Sequence, residues 1–364
     1  MAVATSVSNV LLGRLPSYTR KSRHLQQLLR YAHPRKLVNI ARAELALSRG
    51  ETVLRSRPYI FTIDTGNVCN LRCPLCPTGV HTLERRQSLM TLRTFETVLD
   101  RIAPWAVEIV MHNWGEPFLN PEILAMIGAA RAASVGTTIS SNLNLVHRGD
   151  DFLEAVVDSG LDHLTVSLDG TTQDVYGTYR RGGDIEAVFH NLRTLLAYRN
   201  RTGRRTPTVE WQFLVMKHNE HQVESARRLA RQLGVDRLRL TSAGLPFNQL
   251  DDMQLATQWL SDLPAYQAYH PRAIAQRGYL FDERCFYLYR GMTINPGGEV
   301  SPCCVVYHAQ HDFGSLLTDD LDTVWNNAHY RSSRGLFSPK RQPTDGDTVC
   351  GRCPLFKYES MKTR

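Results

Sequence analysis

The chain has 364 residues, 42% apolar and 21% charged. That is room for about two domains of ~150 residues, and it excludes a largely disordered protein. No stretch approaches the ~18 uninterrupted apolar residues of a membrane-spanning helix. The net charge of +8 is unevenly spread: residues 1–58 hold eleven Lys/Arg against only Glu44 and Glu51, so the remaining chain is close to neutral.

In chain order, residues 2–12 are weakly apolar and lack the basic flank of a secretory signal. Residues 24–33 predict a short helix. A second is expected over 34–48, with Pro34 at a first helical position and Gly50 just past the end. Leu37, Ile40, Ala41 and Leu45 give it an apolar face. From residue 59 the pattern becomes strand, loop, helix, repeated. Strands are expected at 59–63, 107–111, 137–140, 163–168, 208–215 and 237–240. Helices are expected near 92–103, 121–134, 151–159, 185–200 and 220–233. Such alternation implies parallel pairing and right-handed crossovers. Six units are two short of a closed eight-fold barrel, which predicts an open α/β fold, a partial (β/α)6 barrel over 59–241. Residues 242–279 read as a linker with a helix near 251–263. Residues 280–364 read as a small α+β domain. In it Gly297-Gly298 turns a hairpin between 292–295 and 299–301, and a helical period returns at 321–332.

The eight cysteines form two groups with none between residues 77 and 284. A disulfide scaffold would be short and evenly laced, so a reducing, cytoplasmic location and metal-binding thiolates are expected. The first group, Cys69-Asn70-Leu71-Arg72-Cys73-Pro74-Leu75-Cys76, directly follows the first strand, at the end where barrel folds place their chemistry. Three thiolates this close can hold three irons of a [4Fe–4S] cube and leave the fourth iron open. A zinc site lacking one ligand, or three buried thiols, is the plain alternative.

The C-x3-C-x2-C spacing resembles the radical S-adenosylmethionine (SAM) superfamily. There the open iron is chelated by SAM, and one electron cleaves SAM to a 5′-deoxyadenosyl radical that abstracts a substrate hydrogen. Other positions fit the same resemblance. Trp114-Gly115-Glu116-Pro117 is similar to the family's GGEP motif, which hydrogen-bonds the SAM amino group, with Trp114 in place of the first glycine. Ser141 and Asn142 end the third strand near the expected ribose. Ser167-Leu168-Asp169-Gly170 is similar to an S-x-D motif near the SAM carboxylate. Arg180 matches an arginine that pairs with that carboxylate; a solvated loop charge is the alternative. Leu75 and Val215 are candidates for packing the adenine, or plain core.

The second group is Cys285, Cys303, Cys304 and Cys350-Gly351-Arg352-Cys353. The run G-M-T-I-N-P-G-G-E-V-S-P-C-C resembles the SPASM/twitch domains that follow such barrels. Five cysteines favour the shortened twitch form with one auxiliary [4Fe–4S] cluster. The spacing is close to that of 2-deoxy-scyllo-inosamine dehydrogenase-type enzymes, and it implies Cys285, Cys303, Cys350 and Cys353 as ligands. A four-cysteine zinc ribbon is the alternative. Cys304 is the spare. It reads as an alternative ligand to Cys303, a small buried hydrophobe, or a hydrogen-atom donor.

The expected function is a radical SAM oxidoreductase. It would oxidise a sugar- or aminocyclitol-like small molecule or glycoside by two electrons through the auxiliary cluster, served by a reduced flavodoxin- or ferredoxin-type donor, with no nucleic-acid partner. No winged-helix docking pattern precedes the barrel, which favours a small substrate. The alternatives are a redox-neutral epimerase or rearrangement enzyme using Cys304, a peptide-modifying SPASM enzyme, and a non-catalytic iron–sulfur carrier. For residues 1–58 the readings are two helices packed on the barrel with a solvated basic face, contact with an anionic membrane, a lipid-linked or a phosphate-bearing substrate, or a transit peptide.

Overall fold

The structure is a computed structural model that describes residues 18–146, 148–281, 283–339 and 348–358. Residues 1–17, where part of the leader reading falls, lie outside the described residues. The chain enters as helix α1 (Tyr18–Tyr31) and helix α2 (Pro34–Arg49). Pro34 stands in the first turn of α2, where a missing N–H costs nothing. Gly50 ends α2 at φ +66°, returning its N–H to the helix carbonyls.

The body alternates β1 (Ile60–Ile63), α3 (Leu92–Ile102), β2 (Glu108–Val110), α4 (Ile123–Ala132), β3 (Gly136–Ser141), α5 (Asp150–Asp158) and β4 (His163–Ser167). It continues with α6 (Gln173–Tyr179), α7 (Ile185–Arg201), β5 (Thr208–Val215), α8 (Val223–Leu233) and β6 (Arg237–Ser242). Strands β1 to β6 pair in sequence, every pair parallel. The core lies between this sheet and the helices around it, with Phe61, Ile109, Ile139, Leu164, Val209 and Trp211 fully buried. The six-unit open barrel is therefore observed.

Beyond β6 come α9 (Met253–Trp259), α10 (Pro271–Arg277), α11 (Tyr287–Arg290), β7 (Gly291–Ile294), β8 (Glu299–Ser301), β9 (Gly314–Ser315), α12 (Leu321–Trp325) and α13 (Ala328–Gly335). The hairpin expected at Gly297-Gly298 joins β7 to β8. Strand β7 also runs parallel to β1, Ile60 opposite Gly291, so the sheet reads β6-β5-β4-β3-β2-β1-β7-β8-β9. The second cysteine segment thus continues the barrel's own sheet.

Two expected helices end differently, and one helix was not expected. The one near 251–263 stops at Trp259, because Leu260 turns extended to bridge Met216. The period over 321–332 splits, because the Asn327 side chain accepts from the Tyr330 N–H and starts a new helix. Helix α6 went unpredicted: seven residues with a central glycine carry little periodic signal.

Helices α1 and α2 close the barrel at the N-terminal ends of its strands. His24 faces Glu108 at 3.5 Å, and Arg30 and Tyr31 both donate to Asp162. Lys36 donates to the Ser134 carbonyl at 2.8 Å. Glu44 receives Arg290 in a bidentate pair, 2.6 and 2.5 Å, together with the Tyr59 hydroxyl at 2.8 Å. Both members of that pair are buried. Removing one charge strands the other in the interior, so Glu44→Ala should cost about 3–5 kcal/mol of stability. Urea denaturation of the full chain measures it; a loss of a few tenths would show that the pair ties nothing down.

Candidate functional site

Parallel strands direct their C-terminal ends, and the loops leaving them, to one end of the sheet. Cys69, Cys73 and Cys76 sit on the loop after β1 there. Cys73 is buried and its neighbours half-buried. Burial pushes the Cys69 thiol up to about 12, with Glu116 and the other two sulfurs adding to the shift. Burial raises Cys73 as well, against the opposing charge of Arg180. Donors converge on the sulfurs: the Leu71 N–H at 3.4 Å and Asn142 Nδ2 at 3.8 Å to Cys69, and Arg180 Nη1 at 3.9 Å to Cys73. Hydrogen bonds to sulfur are how proteins stabilise and tune thiolate clusters.

The motif after β2 packs directly on this loop. The Glu116 N–H donates to the Val68 carbonyl at 2.8 Å. A Cβ on Gly115 would stand 1.7 Å from the Gly66 carbonyl oxygen, so only glycine fits between the two loops. Glu116 itself is turned inward. Its carboxylate accepts from the Phe118 N–H, the Ser141 hydroxyl and the Asn142 N–H at 3.1, 2.8 and 2.7 Å. Burial lifts its pKa to about 7. Glu116 and Ser141 therefore lock the ends of β2 and β3 together, while Asn142 reaches Cys69.

Asp169 and Arg180 are bound to each other. Arg180 donates through Nε and Nη2 at 2.7 and 2.6 Å, and Asp169 also accepts from the Leu214 N–H. Arg180 is thus no solvated loop charge: its side chain is 13% exposed and lies between Asp169 and Cys73. Asp169→Ala would leave the guanidinium buried without its partner, an expected loss of about 3–5 kcal/mol read by urea denaturation. Asp169→Asn, which keeps one acceptor, should lose less. Ser167 pairs with Ser140 at 3.0 Å, hydroxyl to hydroxyl.

Val215 does not reach the site. It is wholly buried in the main core with Trp211 and Phe213. Side chains alternate along a strand, so its neighbour Leu214 is the one that packs against the cysteine loop, in a cluster with Leu71, Cys73, Leu75 and Tyr179. Leu75 belongs to that cluster at the cysteine loop.

The second group gathers around a separate, mostly apolar cavity lined by Cys285, Cys303, Cys350 and Cys353. Cys304 is not among its walls. Burial raises all four lining thiols, and Cys303 also feels the charge of Cys304 and of the other three. Among the described residues no three His, Cys, Asp or Glu side chains are placed to hold a single metal ion.

Between the two cysteine groups lies a cavity of ≈ 400 Å³, within the range of about 300–1,000 Å³ for small-ligand sites. Its walls include Leu75, Trp114, Phe247, Tyr269, Phe281 and Phe286, with Glu283 as the one charged residue among the described residues. A second cavity of ≈ 300 Å³ fills the barrel lumen and is polar, with Glu108, His112, Ser140, Thr165, Gln212 and Arg239. Cys304 and Tyr287 line both. The Cys304 thiol donates to the Tyr287 hydroxyl at 3.5 Å. Asn113 donates to the Cys304 carbonyl and accepts from Trp114 Nε1 at 2.8 Å, so the Trp that departs from the glycine motif ties the barrel to the second cysteine segment.

Sequence reasoning missed several of these groups. Asp64, at the end of β1, is buried with one oxygen unpartnered, and burial raises its pKa to about 7. His218, after β5, lies between Tyr179 and Trp259 with both ring nitrogens unpartnered. Both follow strand ends, the positional signal that could have found them. Such orphaned polar groups beside a cysteine loop suit a polar cofactor.

A family model for the radical SAM superfamily matches residues 63–254, and one for the SPASM iron–sulfur cluster-binding domain matches residues 285–354. The mycofactocin maturase MftC of Mycobacterium ulcerans is 25% identical over 312 residues, covering 81% of this chain and 80% of that protein. The PqqA peptide cyclase of Methylorubrum extorquens is 26% identical over 320 residues, covering 78% and 77%. The crystal structure of Streptococcus suis SuiB bound to precursor peptide SuiA superposes with a TM-score of 0.60 at 16% identity, covering 89% of this chain and 80% of that one.

Proposed function

This chain belongs to the radical SAM superfamily and carries a SPASM iron–sulfur domain, and we propose that it modifies a side chain of a peptide. Membership brings a SAM-binding [4Fe–4S] cluster and an auxiliary iron–sulfur centre. With the cluster and SAM bound, the pair supplies a 5′-deoxyadenosyl radical that takes a hydrogen atom from the substrate. Cys69, Cys73 and Cys76 would hold that cluster, and the loop offers no fourth thiol, which leaves the open position SAM requires. Arg180 and Asn142 orient the sulfurs. Glu116 and Ser141 hold the surrounding loops at fixed spacing. Cys285, Cys303, Cys350 and Cys353 would hold the auxiliary centre.

The observation that carries the peptide reading is the wall of the central cavity, largely aromatic and aliphatic, reached by both cysteine loops. A polyol would leave hydroxyls facing those rings without partners, at a cost; an apolar or aromatic side chain would not. The likeness to a peptide cyclase over about four-fifths of the chain supports the same reading. The sugar or aminocyclitol expectation is set aside on these grounds. The test compares 5′-deoxyadenosine formation by the reconstituted, reduced protein with tyrosine- and tryptophan-containing peptides against 2-deoxy-scyllo-inosamine and inositol. Stimulation by peptides alone is expected; stimulation by the cyclitols alone would reverse the assignment.

Cys304 favours one variation on this reading. Its thiol stands on the central cavity, outside the auxiliary one, where it could return a hydrogen atom to a substrate radical, the thiyl left behind being restored by one electron from the external reductant and one proton from solvent. Cys304→Ala would then leave SAM cleavage intact and stall product formation. Normal turnover by that variant would remove the role.

A further inference from the structure

We propose that helices α1 and α2 dock the protein on an anionic lipid surface, with the active-site mouth facing away from it. On α2 the residues turned into the protein are Lys36, Ile40, Ala43 and Leu47. At 100° per residue, Leu37, Val38 and Leu45 fall on the opposite side, and they are 51%, 50% and 47% exposed. On α1, Leu25 and Leu29 stand one turn apart, with Leu29 78% exposed. Five of the twelve exposed large apolar side chains among the described residues are therefore on these two helices. Scattered exposed leucines need no explanation, but a concentration on adjoining helices does.

The charge of the same segment says what covers them. Arg42 and Arg49 flank the exposed apolar side of α2. Apolar side chains bounded by Arg describe a helix lying in a membrane interface, held by insertion and by attraction to anionic headgroups. No helix among the described residues is long and apolar enough to cross a membrane, so the contact is peripheral. A second copy is the poorer occupant, because it would set the exposed Arg35, Arg42 and Arg49 of α2 against their own copies, while Glu44 is buried against Arg290 and Glu51 already faces Arg49. A nucleic-acid backbone would use the arginines and leave the leucines in water.

The placement orients the molecule. These helices touch Tyr59, Glu108, Gly136 and Asp162, all at the N-terminal ends of strands. The cysteine loops lie at the other ends. Substrate would then enter from the aqueous side.

The test is co-sedimentation of the full-length reconstituted protein with phosphatidylcholine vesicles and with mixed phosphatidylcholine–phosphatidylglycerol vesicles. Binding to the mixed vesicles alone is expected, weakening as NaCl rises. The triple variant Leu29→Ser/Leu37→Ser/Leu45→Ser, and separately Arg42→Glu/Arg49→Glu, should each lower partitioning about tenfold or more, with SAM cleavage unchanged. All five positions are exposed, so both variants should fold, which circular dichroism checks. Absence of binding to mixed vesicles, or equal binding by the variants, overturns the proposal. So does a wild-type dimer in analytical ultracentrifugation that the leucine variant dissolves, which would give this face to a second copy.

Discussion

Replacing Cys303 with alanine should remove about half of the iron and sulfide of the reconstituted protein, while Cys304→Ala keeps all of it. The two residues are adjacent, and spacing alone leaves either as a ligand. Their surroundings differ. Cys303 shares a cavity wall with Cys285, Cys350 and Cys353. Cys304 points into the barrel lumen and the central cavity, beside Tyr287. Burial raises the Cys303 thiol, and four neighbouring sulfurs, Cys304 first and then Cys285, Cys350 and Cys353, raise it further. Such a thiol loses its proton when a cationic cluster supplies the compensating charge, so ligation and folding of this segment are linked. Metal analysis with visible and EPR spectra of the two variants reads the outcome. Equal iron loss in both would mean that either sulfur can ligate, and loss in Cys304→Ala alone would exchange their roles.

Replacing Cys69, Cys73 and Cys76 together should abolish 5′-deoxyadenosine formation and leave the auxiliary iron in place. The separation of the two sets predicts this independence. The first set packs with Leu71, Leu75, Tyr179 and Leu214 at the mouth of the barrel, and the second surrounds its own cavity. The converse variant, Cys350→Ala/Cys353→Ala, should still cleave SAM while losing product. Loss of all iron in the first variant would show that the two sites form as one unit.

Much of this was legible because the chemistry sits at strand ends. Short runs rich in Val, Ile, Leu, Thr and aromatic residues, alternating with polar ones in β5 and β6, separated by helical periods, mark strands, so β1 to β6 could be placed, and the loops after them inspected for polar residues. The cysteine spacing and the W-G-E-P and S-L-D-G loops were found that way. What those residues bond to was not legible. Asp169 and Arg180 are eleven residues apart, and only the turn of α6 between them brings carboxylate and guanidinium together. Glu116 carries the family's motif position, yet its oxygens are filled by Ser141, Asn142 and Phe118, a fact of loop packing. Val215 was assigned to the wrong side by one residue, although the alternation Val209-Glu210-Trp211-Gln212-Phe213 along β5 already sets it on the core face with Trp211 and Phe213. For the basic leader, two helices packed on the barrel with a solvated basic face were expected, and the described helices α1 and α2 do pack there; what the charges did not reveal is that His24, Tyr31, Lys36 and Glu44 close the bottom of the barrel. The exposed basic and apolar residues occupy the other faces of the same helices.

The most direct test of the account is SAM cleavage by the full-length protein, reconstituted with iron and sulfide, reduced with dithionite and followed by chromatography of 5′-deoxyadenosine. The account predicts 5′-deoxyadenosine from the wild type and none from the Cys69→Ala/Cys73→Ala/Cys76→Ala variant. A wild type that binds its full iron yet yields no 5′-deoxyadenosine, with the peptide panel present, would contradict it.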